Sequence, residues 1–178
     1  MDDSTDDLLD LLSLSKQGEA RFVGRGSGHA GFGLFGGHQL AQAIVSAYRS
    51  VDAQRRLHSV HGFFLRGGDG NQSVSYDVES VRDGRAFCQR RVTGVQNDKQ
   101  IFDLTASFQT PETGPGVIAP TPPRGAEPPE GLPTFEECMK EVGPIFGEEW
   151  SEGPRPVEYR IENAPWAPAG PSEQGGIN

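Results

Sequence analysis

The order of apolar and polar positions predicts one helix followed by four strands. Between residues 37 and 51, Leu40, Ile44 and Tyr48 recur every four residues, which is typical of a helix with one buried face. Further along, apolar and polar residues alternate, which indicates strands that bury one face. The predicted strands cover Leu57–Leu65, Ser73–Val81, Ala86–Gln96 and Gln100–Gln109.

Short connections link these predicted strands. Asp83-Gly84 is a strong hairpin signal, and Asn97-Asp98 fits a second turn. Parallel strands would need long crossovers, so such turns indicate antiparallel neighbours. We therefore predict an α+β fold in which an antiparallel meander wraps around one central helix.

The flanking segments predict shorter elements. In residues 6–14, acidic residues are followed by several leucines, which favours a helix. In residues 111–133, a composition rich in Pro, Gly and Glu favours an extended or disordered linker. The predicted elements are a helix at Asp6–Leu14, with Asp6 and Asp7 near its start, a strand at Ala20–Gly24, a linker at Pro111–Pro133, a helix at Phe135–Glu141 and a strand at Val157–Ile161.

Charge is unevenly distributed along the chain. The net charge is −9, yet residues 18–110 hold eight acidic and eleven basic residues, a balance of +3. This segment can therefore receive an anionic ligand. A nucleic-acid partner is not expected, because the basic residues are not interleaved with aromatic residues in a stripe. The arginines that could meet phosphates are Arg66, Arg82, Arg85, Arg90 and Arg91.

Cysteine content and hydropathy bear on the compartment. Cys88 and Cys138 are too few for a disulfide framework, which fits a reducing, cytoplasmic setting. Residues 1–12 are acidic where a signal peptide has a basic segment. No apolar run approaches the ~20 residues of a membrane span, so we expect no membrane-spanning segment.

A glycine motif invites a nucleotide-binding interpretation that its context excludes. Residues 31–36 match G-x-G-x-x-G ahead of a predicted helix, and Asp52 follows at nearly the right distance. The acidic residue should end the second strand of such a unit, but Asp52 precedes that strand. The later strands are also hairpin-linked instead of separated by helices. We expect no cofactor.

Gly36 and Gly37 stand at the start of the predicted helix. Two glycines let a ligand approach the backbone, and the first N–H groups of a helix have no internal partner. Aimed at a reacting carbonyl, these groups would stabilise the developing oxyanion. The alternative is that the glycines only allow a tight turn and close packing.

His58 and His61 are three residues apart in a predicted strand, so their side chains should face opposite sides of the sheet. They should not share a metal ion, and no Cys/His cluster accompanies them, so no metal site is expected. His58 is a candidate catalytic residue, as an acid, a base or a substrate contact. The alternative is a structural histidine.

Several motifs in the same order resemble one known family, the type II acyl-CoA thioesterases. The segment Phe35–Ala43 looks like that family's hotdog-helix motif, and His58–Arg66 resembles its next strand. The resemblance is strong over residues 8–110 and weak over 150–162. One departure is His38, which stands where Gln is common. The further matching motifs are Tyr76–Glu79, Arg82–Gly84, Arg90–Val92, Ala106–Gln109 and Arg155–Tyr159.

The resemblance implies the N-terminal half of a double-hotdog enzyme that hydrolyses fatty acyl-CoA to fatty acid and CoA. It implies a hotdog domain at 1–110, a linker with a possible short helix at 111–150, and the start of a second hotdog at 151–178. Family members use an Asp, a Thr and a Gln from the second hotdog, and none of the three is carried over onto this sequence. By internal symmetry, Gln42 lies where the second half places its Asp. The expected substrate-binding residues are Gly36, Gly37, Gln42 and Arg66.

A single hotdog leaves a sheet edge open, and open edges pair with other chains. We expect a homo-oligomer or pairing with a second hotdog, and weak or no activity from this chain alone. Another possibility is a non-catalytic module that binds acyl-CoA or directs assembly. A hotdog dehydratase is disfavoured, because it needs a His and a carboxylate in one site and the predicted helix contains no Asp or Glu.

Overall fold

The alternating strands assemble into one antiparallel sheet of six strands. The computed structural model describes residues 8–26, 28–29, 33–114, 119, 121, 128–146 and 157–162. It divides into two units, Met1–Pro115 and Gly116–Asn178. The sheet strands are β1 (Ser15–Lys16), β2 (Arg21–Gly24), β5 (Arg56–Phe64), β6 (Val74–Asp83), β7 (Phe87–Gln96) and β8 (Lys99–Gln109). Within the sheet they lie in the order β1-β2-β6-β7-β8-β5. Two further strands, β3 (Gly28–His29) and β4 (Gly33–Leu34), form a separate pair.

Both predicted turns are present. Asn97 and Asp98 have φ angles of 51° and 57°, so both residues are left-handed, as a two-residue hairpin turn requires. The Gly84 N–H donates to the Phe87 carbonyl at 2.8 Å and closes the other hairpin. Strands β6, β7 and β8 therefore follow one another as an antiparallel meander, and the predicted fold class is confirmed.

Strand β5 lies at the far edge of the sheet, beside β8, although β6 follows it in the chain. This places β5 next to the last strand of the meander. No described strand pairs with the outer edge of β5.

The central helix, α1 (Gly36–Tyr48), crosses the inner face of the sheet. The prediction that Leu40, Ile44 and Tyr48 form its buried face is wrong, since Leu40 and Ile44 are half-buried and Tyr48 is exposed. The small side chains of Ala43 and Ala47 allow the helix to approach the sheet closely, and the buried polar side chains of Gln42 and Ser46 form hydrogen bonds. The buried residues of α1 are His38, Gln39, Gln42, Ala43, Ser46 and Ala47.

Leu40 and Ile44 still pack against the core, and the Tyr48 ring meets the Phe108 ring edge-on with centroids 5.0 Å apart. A Cβ on Gly36 would come within 2.9 Å of the Phe64 ring, and the Leu57 N–H donates to the Tyr48 hydroxyl at 3.0 Å. Gly36 and Tyr48 are the two ends of α1, so both ends of the helix lie beside the edge strand. This flank of the domain is apolar and partly open.

The core lies between α1 and the sheet. It contains the buried residues Leu14, Phe22, Leu34, Ala43, Ala47, Val74, Tyr76, Val78, Cys88, Val92, Ile101, Phe102, Leu104, Ala106 and Phe108. Of the predicted helix at Asp6–Leu14, residues 8–11 are helical, and Asp6 and Asp7 lie outside the described residues.

In the second unit, a 3-10 turn at Pro129–Gly131 precedes α2 (Phe135–Phe146), which is longer than the predicted helix. The predicted strand at Val157–Ile161 is wrong in the described residues, because only Arg160 forms a bridge, to Thr134, and no neighbouring strand extends it. The described linker residues 111–114 have no regular structure. Outside the described residues lie 115–118, 120, 122–127 and 147–150 of the predicted linker, and 151–156 and 163–178 of the predicted second hotdog.

Candidate functional site

The N-terminus of α1 offers free backbone donors. Its N-cap residue, Phe35, forms no side-chain cap, and no acidic residue occupies the first turn. The N–H groups of His38 and Gln39 both donate to the Phe35 carbonyl, at 3.1 and 3.2 Å. Among the described residues, the N–H groups of Gly36 and Gly37 have no hydrogen-bond partner. The positive end of the helix dipole is therefore uncompensated and open to an acceptor.

Aromatic rings border these two glycines. A Cβ on Gly36 would come within 2.9 Å of the Phe64 ring, and a Cβ on Gly37 would come within 2.6 Å of the Phe35 ring. Phe35 is 63% exposed and Phe64 is 58% exposed. The lack of side chains at 36 and 37 thus leaves the backbone accessible between two apolar surfaces, which suits an acyl group attached to a polar carbonyl.

Gln42 lies fully buried beneath this site, one turn and a half further along α1. Its Nε2 donates to the Leu11 carbonyl at 2.6 Å and to the Arg25 carbonyl at 3.1 Å. Its Oε1 accepts a hydrogen bond from the Tyr76 hydroxyl at 2.9 Å. The amide is therefore used within the domain, where it anchors the N-terminal segment to the helix.

His38, the departure from the family motif, is buried on the same face of α1. Neither ring nitrogen has a hydrogen-bond partner in the described part of the chain. Burial lowers the pKa of His38 below its usual value, and the positive charge of Arg25 lowers it further. At neutral pH the ring is neutral.

His58 lies on the outer face of the sheet, away from α1. Its Nε2 is 2.9 Å from the Ser107 hydroxyl, and its ring meets Phe87 edge-on with centroids 5.5 Å apart. Ser107 alternates with the buried residues of β8, so it points outward. The structure therefore does not bring His58 together with Gly36 and Gly37.

The prediction that His58 and His61 face opposite sides is wrong. The register of β5 against β8 shifts between Leu57 and Ser59, so a β-bulge places one extra residue on the strand. His61 pairs with Thr105, an outward residue of β8. The bulge thus turns both histidines outward. No group of three or more His, Cys, Asp or Glu side chains that could hold a metal ion occurs in the described residues.

Arg66 follows β5 and lies two residues beyond Phe64. Its Nη1 donates to the Gln100 carbonyl at 2.5 Å, and its side chain lines a cavity of about 250 Å³. Two of the other predicted phosphate-binding arginines are engaged elsewhere. The buried Arg90 binds Asp83, at 2.8 Å, and Ser50, while the exposed Arg91 binds Asp103 at 2.8 Å.

The sequence located the glycine pair but missed Phe64. The glycines stand out as a local signal ahead of a helical period. The role of Phe64 depends on β5 lying beside β8 and α1, which no local pattern reveals.

Comparison with known proteins agrees with this geometry. Residues 25–109, which hold α1 and the whole meander, match the family described as acyl-CoA thioesterase N-terminal domain. Over these residues the chain is similar to that family.

Individual proteins match this chain over longer stretches. Acyl-CoA thioesterase 2 of Haemophilus influenzae is 34% identical over 165 residues, covering 91% of this chain and 57% of that protein. Human acyl-coenzyme A thioesterase 8 is 40% identical over 105 residues, covering 59% of this chain and 33% of that protein. The crystal structure of an acyl-CoA thioesterase II from Mycobacterium marinum superposes with a TM-score of 0.61 at 37% identity, covering 74% of this chain and 48% of that one.

The chain thus spans between a third and somewhat over half of the length of these relatives. Within the described residues, no helix is long and apolar enough to cross a membrane.

Proposed function

We propose that this chain is one hotdog half of an acyl-CoA thioesterase, which hydrolyses fatty acyl-CoA to a free fatty acid and CoA. The observation that carries the proposal is the pair of unpartnered N–H groups at Gly36 and Gly37, bordered by Phe35 and Phe64. The names of its relatives support the same substrate class.

The chemistry follows from the position of these donors. The thioester oxygen accepts hydrogen bonds from the helix N-terminus while water adds to the carbonyl carbon, and the oxyanion that forms is stabilised there. The C–S bond then breaks, the sulfur leaves as the CoA thiolate and takes up a proton, and the acid is released. A base that activates water must come from outside this site, since His58 lies on the other face of the sheet.

Gly36 allows a direct test of donor function. Gly36→Pro removes the N–H at the first helical position, where proline is well tolerated, and Gly36→Ala adds the same Cβ but keeps the N–H. We expect the proline variant to bind a ketone analogue of acyl-CoA, with CH₂ in place of sulfur, roughly tenfold more weakly than the alanine variant. Isothermal titration calorimetry measures the difference, and equal affinities would contradict the donor role.

The missing catalytic groups point to a partner domain. We infer that a second hotdog, in the same protein or in a second copy, covers the β5 edge and the apolar flank of α1 and supplies the groups that activate water. The purified 178-residue chain should then show little hydrolysis of fatty acyl-CoA in an assay with a thiol reagent. Brisk turnover by this chain alone would refute the need for a partner.

One observation favours a second candidate, a non-catalytic acyl-CoA-binding or assembly module. The first turn of α1 contains no acidic residue, His38 is buried, and His58 lies on the outer face of the sheet. Micromolar binding of acyl-CoA without turnover, even when a partner hotdog is added, would favour this module over the enzyme.

We also propose a cytoplasmic location. Cys88 is buried as a free thiol and Cys138 is free as well, which suits a reducing compartment. Cell fractionation with an antibody against the chain tests this, and recovery from an oxidising compartment would contradict it.

A further inference from the structure

A polar cavity of about 250 Å³ lies between the loop that follows β5 and the turn between β7 and β8. It belongs to the first unit and is separate from the glycine pair. Its polar lining consists of Arg66, Asp69, Gln72, Gln96, Asn97 and Lys99.

Gln96 holds the walls of this cavity in place. It is buried, its Nε2 donates to the carbonyls of Asp69 and Gln72 at 2.9 and 3.1 Å, and its Oε1 accepts from the Asp69 N–H at 2.7 Å. The loop is thereby fixed against β7, so the cavity is formed without a ligand.

The charge in the cavity favours an anion. Arg66 and Lys99 both line it, and neither forms an ion pair with a described residue. The carboxylate of Asp69 is already engaged, with Oδ1 accepting from the Asn71 N–H at 2.9 Å and Oδ2 accepting from Gln72 Nε2 at 2.8 Å. Two cations with nearby amide groups are a donor set suited to a phosphate.

Two observations place the cavity close to the helix N-terminus. The Leu34 N–H, two residues before Gly36, donates to the Gly68 carbonyl in the cavity loop at 2.9 Å. Phe64 borders Gly36, and Arg66 is two residues further along the chain. An acyl-CoA has the same arrangement, with a thioester at one end and phosphates at the other, separated by the pantetheine arm.

We propose that this cavity binds a phosphate group of CoA, with Arg66 and Lys99 as its charged contacts. The inference rests on the proposed function and deepens it, since it adds Lys99 and gives the substrate an orientation. The thioester lies at Gly36 and Gly37, and the phosphate lies at the turn between β7 and β8.

Calorimetric titration of the whole chain with CoA tests the proposal. Arg66→Gln and Lys99→Gln should each weaken CoA binding roughly tenfold, the effect of one charge-assisted hydrogen bond. Lys16→Gln removes an exposed cation outside the cavity and should leave binding unchanged. Circular dichroism checks that all three variants fold. Equal loss in all three, or no loss in the first two, overturns the proposal.

A parallel titration with dephospho-CoA identifies the phosphate. If the two cavity variants weaken CoA but not dephospho-CoA, the cavity holds the 3′-phosphate; if they weaken both, it holds the diphosphate. Either result supports the proposal.

Adenosine 3′,5′-bisphosphate separates this inference from the proposed function. If it shifts the amide NMR signals of residues 66–72 and 96–99 while acyl-CoA neither binds nor reacts, the cavity stands and the thioesterase proposal fails. If acyl-CoA binds and these signals stay fixed, the cavity proposal fails alone. If adenosine 3′,5′-bisphosphate shifts none of these signals and acyl-CoA neither binds nor reacts, both the cavity proposal and the thioesterase proposal fail.

Discussion

His38 makes the stability of the domain depend on pH. Burial, assisted by the charge of Arg25, lowers the pKa of His38 in the folded state, whereas in the unfolded state its pKa is about 6.5. Above that pH the His38 ring is neutral in both the folded and the unfolded state, so it does not make the free energy of unfolding depend on pH. As the pH falls below it, the unfolded state is protonated first, so the free energy of unfolding decreases, by at most about 1.4 kcal/mol per pH unit from this group.

We therefore expect His38→Gln to unfold with a weaker dependence on pH than wild type between pH 7.5 and 5.5. Urea unfolding at several pH values measures this. His61→Gln, at an exposed histidine, serves as the control and should behave as wild type. Parallel pH dependence in wild type and His38→Gln would contradict the effect.

Gln42 is expected to act on stability through three hydrogen bonds. Gln42→Leu removes the partners of the Leu11 and Arg25 carbonyls and of the Tyr76 hydroxyl, so we expect a loss of about 3 kcal/mol. Tyr76→Phe should cost about 1 kcal/mol. Because the two share a bond, the double variant should lose less than the sum. Urea unfolding of the cycle tests this, and strict additivity would show that the shared bond contributes nothing.

At the level of the helices and strands, the sequence predicted those features that depend on local periodicity. The meander and its turn at Asn97-Asp98 follow from alternation and from residues that accept positive φ. The sequence failed where position depends on distant partners. It assigned the wrong buried face to α1, since Gln42 is buried only because Leu11, Arg25 and Tyr76 meet it. It likewise missed the bulge that turns His58 outward.

Helix α2 is expected to depend on a reciprocal cap. The Thr134 hydroxyl accepts from the Glu137 N–H at 3.2 Å, and the Glu137 carboxylate accepts from the Thr134 N–H at 2.8 Å, which lowers the pKa of Glu137. Thr134→Ala should destabilise this helix by about 1 kcal/mol, whereas Thr134→Ser keeps the hydroxyl and should not. Hydrogen exchange at the Cys138 amide, which donates to the Thr134 carbonyl, measures local opening. Equal protection in both variants would contradict the cap.

On the scale of the whole domain, the two edges of the sheet differ. The edge formed by β1 is two residues long, which gives another chain little to pair with. The edge formed by β5 is nine residues long and carries the exposed apolar residues Val60, Phe63 and Phe64. Such an edge beside the open flank of α1 is a template for a further strand.

We therefore expect the purified chain to self-associate through β5. Val60→Lys places a charge on this edge and should shift the chain toward monomer, weakening association at least about tenfold. Val81→Lys changes a valine of β6 that is 53% exposed and should not alter the assembly. Light scattering after size-exclusion chromatography measures the mass of each variant across concentrations. A stable wild-type monomer at high concentration, or equal dissociation by both variants, would show that β5 is not the pairing edge. A dimer lost only in Val60→Lys would identify the surface that a second hotdog occupies.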